Sequence, residues 1–120
     1  MDAKTLATQT CVPCHSGMPS LTPEQVSPYA AALPEWTVEN DLKVKRAYRF
    51  KDFATALAFV NRIGAVADEQ DHHPDLWLAW GLVEVTIWTH AAMGLSENDF
   101  ILAAKIDELA AGAPGLRKAG

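Results

Sequence analysis

Three of the four histidines in this 120-residue chain, His72, His73 and His90, fall within nineteen positions of one another, and two of them are adjacent in Asp71-His72-His73-Pro74. Imidazole titrates near ~6.5, so at neutral pH it can both donate and accept a proton, which is the requirement for general acid–base work. Pro74 biases His73 toward an extended backbone, which places the pair on a loop at the mouth of a strand, where reactive groups collect on a rigid scaffold. His90 is expected at the end of a later strand that returns antiparallel to the first, so the three rings can meet at one cleft. The nearby carboxylates Asp68, Asp71, Asp75 and Asp99 leave a second reading open, a divalent-metal site. Adjacent histidines on an extended segment project to opposite sides and cannot easily face one ion, so proton transfer fits better.

The elements that must position these residues follow from periodicity and punctuation. Thr22-Pro23-Glu24-Gln25 reads as a capping box opening a helix over about 23–33, which Pro34 stops. Period-two alternation from Trp36 to Phe50, interrupted by Asn40-Asp41, predicts a hairpin. Asp52 caps a helix over about 52–68, whose apolar stripe is read as Phe53, Leu57, Val60 and Gly64 with Ala56, Ile63 and Ala67 beside it. Leu76–Trp80 and Val83–Thr89 read as two strands joined at Gly81-Leu82, with His90 on the face of Glu84, Thr86 and Trp88. Ser96-Glu97-Asn98-Asp99 opens a last helix, ended by Gly112 and Pro114. The resulting order, helix-strand-strand-helix-strand-strand-helix, predicts an α+β fold: a four-stranded antiparallel sheet with three helices on one face.

Length limits this to one domain, placed at residues 22–113, with a flexible N-terminal arm over 1–21 and a C-terminal tail over 114–120. Hydrophobic residues make up 49% and charged residues 21%, a globular composition. Ten Lys and Arg against fifteen Asp and Glu give a formal charge of -5, which argues against direct nucleic-acid binding. No apolar run approaches the ~20 residues that cross a bilayer, and the first residues lack a basic-then-apolar leader, so neither a membrane span nor a signal peptide is expected and the protein reads as cytoplasmic. Cys11, Cys14 and His15 form Cys-x-x-Cys-His, a haem-attachment pattern in exported proteins. Without export or a haem pocket, a reduced and partly ordered arm is the favoured reading, and a zinc site would need a distant fourth ligand.

At the histidines the sequence resembles the pterin-4a-carbinolamine dehydratases, over nearly the whole chain from Leu33. The family signature of an acidic residue, His-His-Pro, an aromatic, a His and a further Asp is matched by Asp68, His72-His73-Pro74, Trp80, His90 and Asp99, with every gap kept. Leu33-Pro34-Glu35-Trp36, Phe50-Lys51-Asp52-Phe53 and Gly94-Leu95-Ser96-Glu97-Asn98-Asp99 are similar to family segments as well. The departures are Leu76, Leu78, Gly81, Leu82 and Trp88, all near the pocket or the hairpin behind it.

The resemblance implies loss of water from 4a-hydroxytetrahydropterin to give quinonoid dihydropterin, with no metal or redox cofactor. It implies His72 and His90 as acid and base, His73 as the residue that orients the pterin, and Asp68, Pro74, Trp36, Trp80 and Asp99 at the substrate site. The partners it implies are the pterin substrate and, functionally, an aromatic amino acid hydroxylase. Two binding-module functions occur among relatives, a dimerisation cofactor for a transcription factor and a rubisco assembly chaperone. Partly apolar strands with one uncovered side predict a homodimer or homotetramer.

Overall fold

The computed structural model describes residues 1–117. Its elements run α1 (Ala3–Thr8), α2 (Pro23–Ala32), β1 (Thr37–Glu39), β2 (Lys43–Phe50), α3 (Phe53–Gln70), β3 (Asp75–Ala79), β4 (Leu82–Ile87), a 3-10 turn (His90–Ala92), α4 (Glu97–Ala111) and β5 (Leu116–Arg117). The four main strands lie in the order β1-β2-β4-β3, every pairing antiparallel. The α+β layout expected from the alternation is the one observed.

Period-two patterning sets which face is covered. Val44, Tyr48 and Phe50 on β2 and Val83, Val85 and Ile87 on β4 are buried, and Ala47 and Arg49 between them are exposed. Asn40 and Asp41 take left-handed backbone angles (φ 52° and 57°) as the central pair of a tight turn closed by the Leu42 N–H on the Glu39 carbonyl at 2.9 Å. Asp52 caps α3 by accepting from the Thr55 backbone N–H at 2.9 Å. The buried stripe of α3 is Ala56, Phe59, Ile63 and Ala67, about one position round from the stripe read through Phe53 and Leu57, which stay at the surface. In a helix where apolar residues occupy more than one face, spacing alone does not choose the face that meets the sheet.

Both chain ends differ from expectation. Within 1–21, expected as a flexible and partly ordered arm, α1 packs on α4 through Leu6, 1% exposed, and Lys105 donates to the Ala7 carbonyl at 2.8 Å. This cover explains why α4 is buried nearly all round, from Phe100 to Ala104 and at Ile106. In the tail expected at 114–120, Leu116 and Arg117 pair with Phe50 and Arg49 of β2, and 118–120 lie outside the described residues. Among the described residues no helix is long and apolar enough to cross a membrane.

Asp107 of α4 gathers Trp36 Nε1, Arg46 and Tyr48 of the hairpin. Burial and this carboxylate push the Tyr48 hydroxyl well above its ordinary range, so it stays a donor.

Candidate active site

Helix α3 ends in a way that separates the two adjacent histidines. Asp71 adopts a left-handed conformation (φ 51°, ψ 40°), and its N–H and that of His72 return to the carbonyls of the last turn, including His72 N–H to Ala67 O at 3.2 Å. The chain then leaves extended toward Pro74. His72 points inward, 6% exposed, and His73 outward, 56% exposed.

His72 Nε2 lies 2.7 Å from Asp99 Oδ1, whose side chain is fully buried. The other oxygen of Asp99 accepts from the Thr89 hydroxyl at 2.9 Å and the Ser96 N–H at 2.8 Å. A carboxylate has only acceptors to offer, so Nε2 of the neutral ring carries the proton and Nδ1 keeps its lone pair. His73 Nε2 meets Asp68 Oδ1 at 2.9 Å, a pair with both partners exposed and therefore of little energetic weight. The carboxylate that fixes the inward imidazole is thus Asp99, and Asp68 serves His73.

His90 belongs to the short 3-10 turn and not to β4, which ends at Ile87. Thr89 and Gly94 bridge across the base of this turn, and the His90 ring lies 3.8 Å from the Trp88 ring, centroid to centroid. Lys43 Nζ sits 4.9 Å from the Trp88 ring. Opposite β3 residues pair with β4 so that Asp75 faces Thr86, which brings the β3 entrance beside the β4 exit.

His72, His73 and His90 consequently line one open cleft of about 400 Å³, within the size range of small-molecule sites. Its walls include Asp71, Pro74, Asp75, Trp88, Thr89 and Ala91, and one residue from the N-terminal segment, Cys14. Asp99 sits behind His72 and does not line the cleft.

Four residues expected at the substrate site do not line the cleft: Asp99 behind His72, Asp68 paired with His73, and the two tryptophans Trp36 and Trp80. Trp36 is 6% exposed, edge-on to Tyr48, with its N–H on Asp107. Trp80 is 64% exposed in the β3–β4 turn, at the far end of a strand that rises ~3.3 Å per residue from the histidines. Cys14 is the residue that reading the sequence passed over; its Cys-x-x-Cys-His setting drew attention to haem and zinc rather than to a distant histidine. In the structure Cys11 is buried, with its thiol on the Asn98 carbonyl at 3.7 Å, and Cys14 is exposed. Among the described residues no three His, Cys, Asp or Glu side chains converge as ligands of one ion.

The profile of the family described as pterin 4 alpha carbinolamine dehydratase matches residues 19–109. A protein of Rubrobacter xylanophilus that carries the pterin-4-alpha-carbinolamine dehydratase name is 47% identical over 104 residues, spanning 87% of this chain and 97% of its own. One of Halorhodospira halophila with the same name is 46% identical over 107 residues, 88% and 98% of the two chains. Among solved structures, a transcriptional coactivator/pterin dehydratase from Brucella melitensis superposes with a TM-score of 0.71 at 33% identity, covering 75% of this chain and 97% of that one. A pterin dehydratase-like protein identified as a RuBisCO assembly factor in the alpha-carboxysome gives 0.56 at 25% identity, covering 66% and 92%. With the match running across the sheet, the three histidines and the helix that holds Asp99, the chain belongs to the pterin-4a-carbinolamine dehydratase family.

Proposed function

We propose that the protein is a hydro-lyase that dehydrates 4a-hydroxytetrahydropterin in the cleft, with His72 and His90 moving the protons. The observation that carries the reading is the convergence of three imidazoles on one cleft, one of them tied through Nε2 to a buried carboxylate. In the reaction N5–H loses its proton, the nitrogen electrons form the C4a–N5 double bond, the C4a–O bond breaks, and the hydroxyl departs with a proton as water. Substrate becomes quinonoid dihydropterin plus water, and nothing is oxidised or reduced.

His72 is suited to the base role, because Asp99 fixes its proton on Nε2 and leaves Nδ1 as the accepting atom. His90, exposed and with its ring tilted against that of Trp88, is suited to give the leaving hydroxyl its proton and to recover it from solvent. His73 and Pro74 line the approach and orient the pterin. Asp99 acts through His72, Asp68 through His73, and the reading assigns Trp36 and Trp80 no contact with substrate. A cytoplasmic setting beside an aromatic amino acid hydroxylase, the class of enzyme that releases such a carbinolamine, goes with this function.

The test is the decay of the 4a-carbinolamine absorbance in a phenylalanine hydroxylase reaction. The protein at micromolar concentration accelerates the decay, and His72→Ala or His90→Ala removes about 10²-fold or more of the acceleration, the contribution expected of a positioned acid or base. No acceleration by the unmodified protein refutes the reading and favours a binding-module function, for which the two structural neighbours, a transcriptional coactivator/pterin dehydratase and a RuBisCO assembly factor, are the precedent.

The edge strand β3 supports a further element of this reading, a homodimer or homotetramer. Leu76 and Trp77 on its surface are 36% and 55% exposed, and Phe53 and Leu57 on the adjoining α3 are 45% and 39% exposed. An unpaired edge with apolar side chains is the type of surface that a second copy covers.

A further inference from the structure

We infer that Cys14 is part of the histidine site, as the positioning residue for the proton-accepting nitrogen of His72; the inference rests on the catalytic reading of His72 above. The Cys14 thiol lies 3.8 Å from His72 Nδ1, within reach of the weak, long hydrogen bond that sulfur makes. Among the described residues no other group bonds to that nitrogen, although the ring is 6% exposed. Because Nε2 carries the proton toward Asp99, the S–H is the donor and Nδ1 the acceptor.

The thiol is held in place from the same turn of α4 that holds the other nitrogen. Asn98, 2% exposed, accepts from the Val12 N–H at 2.9 Å and donates to the Val12 carbonyl at 2.7 Å and to Cys14 Sγ at 3.5 Å. Cys11 is anchored two ways, its N–H on the Gln70 side chain at 2.9 Å and its thiol on the Asn98 carbonyl at 3.7 Å. Burial pushes the Cys11 thiol up to about 11, so it stays protonated and inert while Cys14 is exposed at the cleft. Consecutive residues thus fix both sides of one imidazole: Asn98, through Cys14, sets Nδ1, and Asp99 sets Nε2. Cys14 brings the N-terminal segment to one wall of the cleft, and its thiol must yield Nδ1 when substrate arrives.

Two measurements test this on the full chain without turnover. In ¹⁵N spectra of the histidine side chains, Cys14→Ala moves the His72 Nδ1 resonance by several ppm, Cys14→Ser moves it part of the way back, and His15→Ala leaves it in place. With iodoacetamide at neutral pH, Cys14 is alkylated and Cys11 is not, and His72→Gln, whose amide still donates to Asp99, slows the alkylation several-fold. An unmoved Nδ1 resonance in Cys14→Ala, or equal alkylation in the parent and His72→Gln, overturns the inference. In the dehydratase assay Cys14→Ala lowers KM about fivefold, the equivalent of one hydrogen bond of about 1 kcal/mol that substrate no longer has to break, with kcat little changed, and Cys14→Ser restores most of it. Parent-like KM in Cys14→Ala also counts against it. Since the first two readouts need no substrate, a failed dehydratase assay and a failed assignment of Cys14 are told apart.

Discussion

Replacing Asp99 by Asn separates the proton placement at His72 from the shape of the site. The carboxylate accepts three hydrogen bonds, from His72 Nε2, the Thr89 hydroxyl and the Ser96 N–H, with no solvent exposure. The Asn oxygen can keep the two on the Oδ2 side, but its NH2 then faces Nε2, and two donors cannot share one bond. The imidazole resolves the conflict by moving its proton to Nδ1, so the atom at the cleft becomes a donor where a base is required. Bonds to a charged acceptor contribute ~1.5–3 kcal/mol against ~0.5–1.5 for neutral ones, so weakening three of them while removing a buried charge leaves a net loss of about 2 kcal/mol. In a chain of this size that lowers Tm by roughly 6–10 °C, and the variant stays folded at 25 °C. The rate falls much further, by about 10²–10⁴-fold in kcat with KM little changed, because a base in the wrong tautomer contributes nothing to the proton-transfer step. Carbinolamine decay, a thermal melt and ¹⁵N tautomer spectra of His72 measure the three effects on one sample. A variant with the proton on Nδ1 and kcat within threefold of the parent would refute the assignment of Nδ1 as the base.

Two further outcomes concern the scaffold. A Cβ on Gly81 would lie 2.7 Å from the Phe50 carbonyl oxygen, so Gly81→Ala destabilises by about 1–3 kcal/mol, read as a lower urea midpoint at constant slope; an unchanged midpoint shows that the turn is free to shift. Size-exclusion chromatography with light scattering gives a dimer or tetramer, and Leu76→Lys with Trp77→Glu on the edge strand reduces it; a parent protein that is monomeric at all concentrations removes the proposed assembly.

What could be read in the fold was local. Thr22, Asp52 and Ser96 mark helix starts through side chains that act within three residues, and Asn40-Asp41 marks a turn through its own backbone preference. The orientation of α3 was not local: Phe53 and Leu57 are as apolar as Phe59 and Ile63, and the difference between them is which side the sheet lies on. Helix α1 and strand β5 were missed for the same reason. Six residues from Ala3 to Thr8 are too short to be helical without tertiary support, and two residues at Leu116–Arg117 become a strand only because the end of β2 offers Arg49 and Phe50.

The site divides along the same line. His72, His73 and His90 were visible because their spacing around Pro74 and the strand pair already determines that they meet. What each partner does was not: Asp99 was expected at the substrate and not behind His72, 27 positions away, and Cys14, 58 positions from His72, was not expected at the site. Asp68, five positions from His73, is exposed and pairs with the outward ring. The buried ring takes the buried acid, since an exposed carboxylate could not hold it against competing water. Trp88 follows from the same argument. It lies two positions before His90, its ring covers one face of that imidazole, and its own N–H is buried without a partner. A smaller hydroxylated residue there would leave His90 open on that side. The departure at this position therefore bears on how His90 is oriented, while the pairing of His72 with Asp99, on the other wall of the cleft, is independent of it.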